Sequence, residues 1–396
     1  MSAPVHVHFI ANCVYSSRIG GGDVHYFNMA EAAVARGYAV TLFGGEALKE
    51  HLAQRKLKTG FVQTDRGKIR NIDVGHFWDQ LVLFADYFRR LFGTLFRLGK
   101  IQPADLVYAV TDYWFDSFPA MLSKARAKIM ILGMDAPTLR EIVFKLRPDV
   151  TGLRISSIHY WLSQNASLWL FRYCKNKRLL YVHPDMKPRL LQLGYREDEL
   201  VFISNGMDMD VADQVADQGK IYDALWVGRV HVQKGIDDLL ATLTHLSKQI
   251  DGFKAILIGA VKDSLEPVIQ ARGLSGQVVF SGFVSEQEKF RLYKCSRVFL
   301  MPSHYESWGI VIAEVLACHV PVVAYDLAAY RPVFGDLPRY VPCFDLDAFQ
   351  AEAERQIREA RAGRGGVDAG KIATFKLENS WEAARGRFCA MLDGLR

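Results

Sequence analysis

Val298-Phe-Leu-Met-Pro302-Ser-His-Tyr-Glu306-Ser-Trp-Gly309-Ile-Val-Ile-Ala-Glu314-Val-Leu-Ala-Cys-His-Val320-Pro-Val-Val-Ala324 reads as strand, loop, helix and strand. The apolar run Val298–Met301 is short, rich in strand formers and stopped by Pro302. A polar loop follows, and a helix is expected from near Trp308, with Glu314 on its second turn. Val320–Ala324 then forms the next strand. Two parallel strands need a crossover of this kind, which points to a parallel sheet with helices packed on it.

The same alternation runs through the rest of the chain. Upstream, His6–Ala11, Ala39–Phe43, Asp105–Val110, Lys128–Leu132 and Arg178–Val182 read as strands, separated by helical stretches such as Tyr26–Ala35. A second series is read as Leu200–Ser204, Asp223–Val227, Lys254–Ile258, Val278–Phe280, Val298–Met301 and Val320–Ala324. Two tandem doubly wound α/β domains follow, divided at the turn signal Ser204-Asn205-Gly206. The expected boundaries are 1–204 and 205–379, and a last amphipathic helix opens at Ser380-Trp381-Glu382. A chain of 396 residues is long enough for two such cores.

Composition excludes several classes. Half the residues are apolar and 23% are charged, and there is no fixed-period repeat or low-complexity tract, so neither a solenoid nor extended disorder is expected. The apolar start lacks the basic leader of a signal peptide and reads as a first strand. The six cysteines, Cys13, Cys174, Cys295, Cys318, Cys343 and Cys389, show no zinc or disulfide spacing and suit a reducing cytoplasm. Residues 1–200 hold 27 Lys and Arg against 18 Asp and Glu, whereas 201–396 hold 22 against 25. The basic first half suggests an anionic partner, although ordinary surface cations give the same tally.

Three segments carry chemistry. In the opening stretch, the amides of Ser307, Trp308, Gly309 and Ile310 at the helix start are unpaired donors beside the positive dipole end, a setting for a diphosphate. Glu314 would lie about 9 Å further along the axis, so Glu306 and Glu314 can be read as accepting hydroxyls of a sugar and of a ribose. In Gly228-Arg229-Val-His-Val-Gln-Lys234-Gly235, two cations on a strand-to-helix loop can hold one diphosphate and stabilise the charge it gains on departure. Gly20-Gly21-Gly22, after the first strand, permits close backbone approach but is weak alone. It fits neither the dinucleotide fingerprint nor a Walker loop.

Together these residues resemble the family-4 retaining glycosyltransferases. Glu306 and Glu314 match that family's E-x7-E element, and Gly228-Arg229 with Lys234-Gly235 matches its basic loop. Gly20-Gly21 with His25, and Ser204-Asn205-Gly206-Met207-Asp208, resemble its amino-terminal loop and interdomain turn. The resemblance implies the GT-B architecture, two Rossmann-like domains facing a cleft, with residues 380–396 crossing back to the first. It implies a sugar moved with retention from a UDP- or GDP-sugar to a lipid-linked or glycoconjugate acceptor, as in cell-surface glycan synthesis. By carry-over Arg229, Lys234 and Glu306 are catalytic. Gly20, Gly21, Gly22, Gly228, Ser307, Trp308, Gly309, Ile310 and Glu314 hold the donor. Where relatives carry a histidine facing the donor sugar this chain has Met134, leaving Asp135 and His25 as acceptor-side candidates. Tyr113-Trp114-Phe115 either lines the acceptor or packs in the core.

No cofactor and no metal are expected. Asp208-Met-Asp210 and Asp345-Leu-Asp347 match a metal-binding pattern too short to count. Phe77, Leu81, Phe84, Phe88, Leu91, Leu95 and Leu98 form an apolar stripe at helical spacing, widened by Trp78, Phe92 and Phe96 and ending among Arg89, Arg90, Arg97 and Lys100. Segment 77–100 is expected either to lie on an anionic membrane or to pack on the first sheet, the balance tipping to burial. The location follows as cytoplasmic or peripheral at the inner membrane face. The alternatives are a small-molecule glycosyltransferase, an epimerase or phosphorylase of the same fold, and a non-catalytic nucleotide-sugar-binding protein. No nucleic-acid recognition motif is present.

Overall fold

The computed structural model describes residues 5–14, 21–65, 67, 77–144 and 154–396. The chain forms two compact units, Met1–Gly206 with Trp381–Arg396, and Met207–Ser380.

The first unit is built on β1 (His6–Ile10), β2 (Ala39–Gly44), β3 (Gly60–Gln63), β4 (Leu106–Ala109), β5 (Ala127–Leu132), β6 (Lys177–Tyr181) and β7 (Leu200–Phe202). All pairings are parallel, in the order β3-β2-β1-β4-β5-β6-β7. The order reverses between β1 and β4, the doubly wound arrangement. Helices cover both faces, which is why the central strands are apolar runs with no alternation; Val7, Phe9 and Ile10 are fully buried. Leu200–Phe202 pairs with β6 and so closes this sheet, which corrects its placement at the head of the second series. The last helix, Trp381–Asp393, belongs to this unit. Phe388 packs on Phe9 and Tyr108 at 6.3 and 5.6 Å between ring centroids. A Cβ on Gly206 would stand 2.1 Å from the Trp381 indole, so only glycine fits where the chain leaves the unit.

The helix Phe77–Leu95 meets the expectation of burial only in part: in its apolar stripe Phe84, Leu91 and Leu95 are partly buried, whereas Leu81 and Phe88 are exposed. Its inward side carries Gln80, Leu83, Asp86, Tyr87, Arg90 and Thr94, all buried, while Trp78, Leu81, Phe88, Phe92 and Phe96 are exposed. Polar geometry decides the orientation. Arg90 donates to the carbonyls of Asn12 and Val14 at 2.8 and 2.7 Å and lies 3.3 Å from Asp65. Thr94 Oγ1 accepts from Asn12 Nδ2 at 2.9 Å. Turning the helix over would strand these groups, at a cost of about 1–3 kcal/mol for each buried donor or acceptor. None of the described helices is long and apolar enough to cross a membrane.

The second unit contains β8 (Tyr222–Val227), β9 (Ala255–Ile258), β10 (Val278–Gly282), β11 (Ser296–Met301), β12 (Val322–Tyr325) and β13 (Arg339–Val341). They too are all parallel, in the order β10-β9-β8-β11-β12-β13, reversing between β8 and β11. Apolar clusters fill both faces, one around Trp226, Leu257 and Leu300, the other around Phe299, Ile312 and Tyr330. Asp345 caps the helix Leu346–Arg361 by accepting from the Ala348 amide at 3.0 Å.

Beside β1 and β4 lies the fully buried Asp116. It accepts from the Asn12 amide and the Thr111 hydroxyl, both at 2.6 Å, yet burial pushes its pKa up to about 7. Between pH 4 and 7 the native state therefore keeps a proton that the unfolded chain releases, so this group's contribution to stability falls as pH rises. Asp116→Asn is neutral throughout. In urea titrations its unfolding free energy should gain on wild type by up to about 1.4 kcal/mol per pH unit across this window. A difference independent of pH would show that Asp116 ionises normally.

Candidate functional site

Where the second unit's strand order reverses, the loops after β8 and β11 leave the same sheet edge as neighbours, the position at which doubly wound sheets bind ligands. Two glycines fix the first loop. Gly259 passes so near Gly228 that a Cβ on it would lie 2.3 Å from the Gly228 carbonyl. Gly235 has φ +60° and abuts Pro302, whose carbonyl oxygen would be 1.8 Å from an added Cβ. The loops are also stitched directly: the His304 amide donates to Gln233 O at 2.8 Å, and Gln233 Nε2 to Tyr305 O at 3.0 Å.

This stitching sets the charged groups. Lys234 Nζ meets Glu306 Oε1 at 2.5 Å, with side chains only 16% and 10% exposed, and Ser303 Oγ donates to the same oxygen at 3.1 Å. Behind them His304 Nε2 and Tyr325 OH converge on Asp238 Oδ2 at 2.9 and 2.8 Å. Burial first, then the Asp238 hydrogen bond, push the Tyr325 pKa up, so it acts as a donor. Arg229 is exposed and makes no ion pair among the described residues. One cation is thus neutralised in place and the other is open.

The helix after β11 begins at Ile310, with Gly309 as its cap at φ +88°, later than the expected start near Trp308. Gly309 turns the chain sharply, leaving Ile310 and Val311 as the first open amides. Trp308 is 3% exposed, and its indole packs edge-on against Phe334 at 5.4 Å, so its side chain belongs to the core; Ser307 and Ile310 are exposed. The later start also shortens the distance from the helix start to Glu314 to about 6 Å along the axis. Glu314 is held by Lys289 Nζ at 2.8 Å and Tyr293 OH at 2.9 Å, which keeps a carboxylate inside an otherwise apolar helix.

In the first unit the expected residues fare unevenly. Gly20 lies outside the described residues; Gly21 opens the helix Gly21–Ala35, and Gly22 has open space where a Cβ would stand. His25 is buried 6.0 Å from the Trp381 ring with Nε2 unpartnered, and burial lowers its pKa to about 4. Burial therefore holds the imidazole neutral at physiological pH. Asp135 is ion-paired with Arg189. Phe115 is buried, Tyr113 and Trp114 partly so; Tyr87, Phe115, Tyr113 and Tyr160 stack in series at 3.9, 5.1 and 4.9 Å. Sequence reading missed Asp112, buried after β4, which accepts from Gln164 Nε2 at 2.6 Å. Burial pushes its pKa up to about 6. Its one sequence signal was its place just past a strand's carboxyl end.

Family models match this arrangement over most of the chain: Glycosyltransferase Family 4 over residues 19–211 and Glycosyl transferases group 1 over 212–352. The chain belongs to the family-4 glycosyltransferases. The phosphatidyl-myo-inositol mannosyltransferase of Mycolicibacterium smegmatis is 33% identical over 174 residues, 41% of this chain and 44% of the relative. The O-antigen chain mannosyltransferase B of Escherichia coli is 27% identical over 168 residues, 40% and 42% of the two chains. Matches to such relatives span only about half of their length or less. Among solved structures, sucrose-phosphate synthase from Thermosynechococcus elongatus superposes with a TM-score of 0.69 over 99% of both chains at 16% identity. Anabaena HepE in complex with UDP and glucose gives 0.64 over 98% of this chain and all of that one, also at 16%. This family-4 chain therefore has the GT-B fold, two parallel-sheet α/β domains.

The close approach of Gly235 to Pro302 makes that glycine the most demanding position of the site. Gly235→Ala should lower the unfolding free energy by about 1–3 kcal/mol and displace Lys234, whereas Gly22→Ala, with free space, should change stability by less than about 0.5 kcal/mol. Urea denaturation of the two variants checks this; equal stabilities would refute the packing of the two loops.

Proposed function

We propose that this family-4 glycosyltransferase moves a hexose-type sugar, with retention, from a UDP- or GDP-sugar to a lipid-linked or glycan acceptor. The observation that carries the reading is the convergence of Arg229, Lys234, Glu306 and the Ile310 and Val311 amides on one sheet edge. Open amides and an unpaired guanidinium suit a diphosphate. The Lys234–Glu306 pair gives the site a ligand-dependent exchange: as the diphosphate takes Lys234, Glu306 is released to accept from sugar hydroxyls. Glu314, anchored by Lys289 and Tyr293, retains lone pairs for a ribose. As the glycosidic bond breaks, negative charge gathers on the departing phosphate, and Arg229, Lys234 and the amides stabilise it in place. That phosphate oxygen takes the acceptor proton, so neither a protein nucleophile nor a metal is required. The UDP and glucose in the HepE structure and the mannosyltransferases among the relatives support this reading.

The acceptor would be reached at an anionic membrane surface. The outward side of the Phe77–Leu95 helix presents Trp78 at 75% exposure and, just past its end, Phe96 at 86%. On the same unit the helix Arg154–Phe171 contains no acidic residue, exposes Ile158, Leu162 and Trp169 and runs into Arg172 and exposed Tyr173. Exposed aromatics beside cations suit the headgroup boundary of an anionic bilayer.

Thermal shifts with UDP-, GDP- and ADP-sugars should single out one donor, stabilising by about 2.7 kcal/mol at a hundred times its Kd. With that donor, Arg229→Ala and Lys234→Ala should each lower kcat/KM about a hundredfold, and wild-type turnover should persist in EDTA. Near-normal rates in both variants would remove the assignment, and a strict Mn²⁺ or Mg²⁺ requirement would remove the metal-free mechanism. Sedimentation with phosphatidylglycerol-rich vesicles should pull down wild type but not a Trp78, Phe88, Phe92 and Phe96 to Ser variant. Failure of wild type to sediment, or full retention by the variant, would exclude this membrane face. Arg90 is unsuitable for that test, because it is buried and holds the loop after β1.

A further inference from the structure

At the amino-terminal edge of the second unit's sheet, the end opposite the loops of the candidate site, lies a cavity of about 190 Å³. It is walled by Lys220 before β8, Arg297 at the start of β11, His319 before β12, Gln356, and Arg364 within the loop Gly363–Gly366. Three side chains in this wall are cationic, a fourth is an imidazole, and no carboxylate lines it.

Two helix ends at this edge are closed by backbone donors, while a third, that of the helix Glu286–Lys294, engages Lys220 through the Lys294 carbonyl. Gly363 N–H donates to Ala360 O and Arg364 N–H to Glu359 O, closing the helix Leu346–Arg361. His319 N–H donates to Leu316 O and Val320 N–H to Val315 O, closing the helix Ile310–Ala317. The nearby carboxylate, Asp223, is taken by Arg361 through two bonds of 2.7 Å. Arg297 approaches it through Nε at 3.4 Å, and no hydrogen bond occupies its terminal nitrogens among the described residues. Lys220 Nζ donates to Lys294 O and Ser296 O at 2.8 and 2.9 Å, so a third ammonium hydrogen remains. Arg364 is exposed and makes no ion pair among the described residues.

His319 at φ +57° and Gly363 at φ +68° take the left-handed conformation that ends their helices, and Gly365 and Gly366 also have positive φ. Burial lowers the Lys220 pKa, offset in part by Asp217, and burial with Lys376 lowers that of His319, offset in part by Asp213.

We propose that this cavity binds a phosphate group, as orthophosphate or the head of a small phosphomonoester. Its volume exceeds that of several waters at roughly 30 Å³ each, room for a phosphate and a short substituent. The uncommitted guanidinium donors of Arg297 and Arg364 match phosphate oxygens in pairs. The site is separate from the donor loops, and its existence does not depend on the proposed transfer reaction.

Isothermal titration of the full chain with inorganic phosphate, at constant ionic strength against chloride, tests it. An Arg229→Ala, Lys234→Ala double variant removes the donor-loop cations and should keep the phosphate heat. On that background Arg364→Gln and Arg297→Gln should each weaken binding by about tenfold, one charge-assisted pair's worth. Arg364→Gln alters an exposed, unpaired side chain, so it remains informative even if Arg297→Gln disturbs Asp223. Absence of phosphate binding, loss of binding in the donor-loop variant, or binding indifferent to Arg364→Gln would each overturn the proposal. Titration with sulfate and glycerol phosphate separates the forms: a tighter monoester identifies the substituted ligand, and equal affinity identifies the bare ion.

Discussion

The carbonyl of Pro302 and the α-carbon of Gly235 lie so close that no side chain can come between them, and the chemistry of the second unit follows from that contact. It brings a loop that begins at one strand of the sheet's reversal point against a loop that begins at the other. Backbone bonds from His304 and Gln233 hold them there. Lys234 and Glu306 consequently meet at the surface of the core, where water is sparse and their attraction is stronger than in bulk solvent. In such a pair either member can be displaced by a ligand group of its own charge. Arg229 has no such partner among the described residues and stands exposed beside the pair's loop.

In the first unit the equivalent edge is organised by neutral and paired polar groups. Asn12 accepts from Thr64 and donates to Thr94 and Phe115, while Asp116 takes the Asn12 amide. Arg90 binds the carbonyls on either side of Cys13. The polar side of the Phe77–Leu95 helix is thus the structural side, and Trp78, Leu81, Phe88 and Phe92 are left exposed. A helix is oriented by whichever side loses more in water, and here buried hydrogen bonds outweigh greasy area.

That inversion marks the limit of what was legible in the sequence. Interior strands such as His6–Ile10 and Val298–Met301 were readable because a strand buried on both faces must be apolar. The edge strands Gly60–Gln63 and Arg339–Val341 were missed because they are short and half wet. The apolar stripe of 77–98 was seen, but its direction was not, since Asn12, Asp65 and Asp116 lie too far away in sequence to register in any window. At the site, the spacing of Arg229, Lys234, Glu306 and Glu314 was plain. That Lys234 and Glu306 pair, that Glu314 is held by Lys289 and Tyr293, and that Trp308 turns inward depend on long-range packing. Gly309 could have corrected the helix start, since a glycine in the left-handed conformation ends or begins an element more often than it continues one.

The chain leaves the first unit at Gly206 and returns to it at Trp381. During synthesis on the ribosome, the second unit therefore has its whole sequence available while the first still lacks Phe388, Leu392 and Leu395, which seal the region over Phe9 and Tyr108. The usual vectorial order completes the amino-terminal domain first; here its sequence is completed last. A nascent chain that stops before residue 381 carries a second unit of complete sequence and a first unit whose apolar surface around Phe9 and Tyr108 lacks its cover.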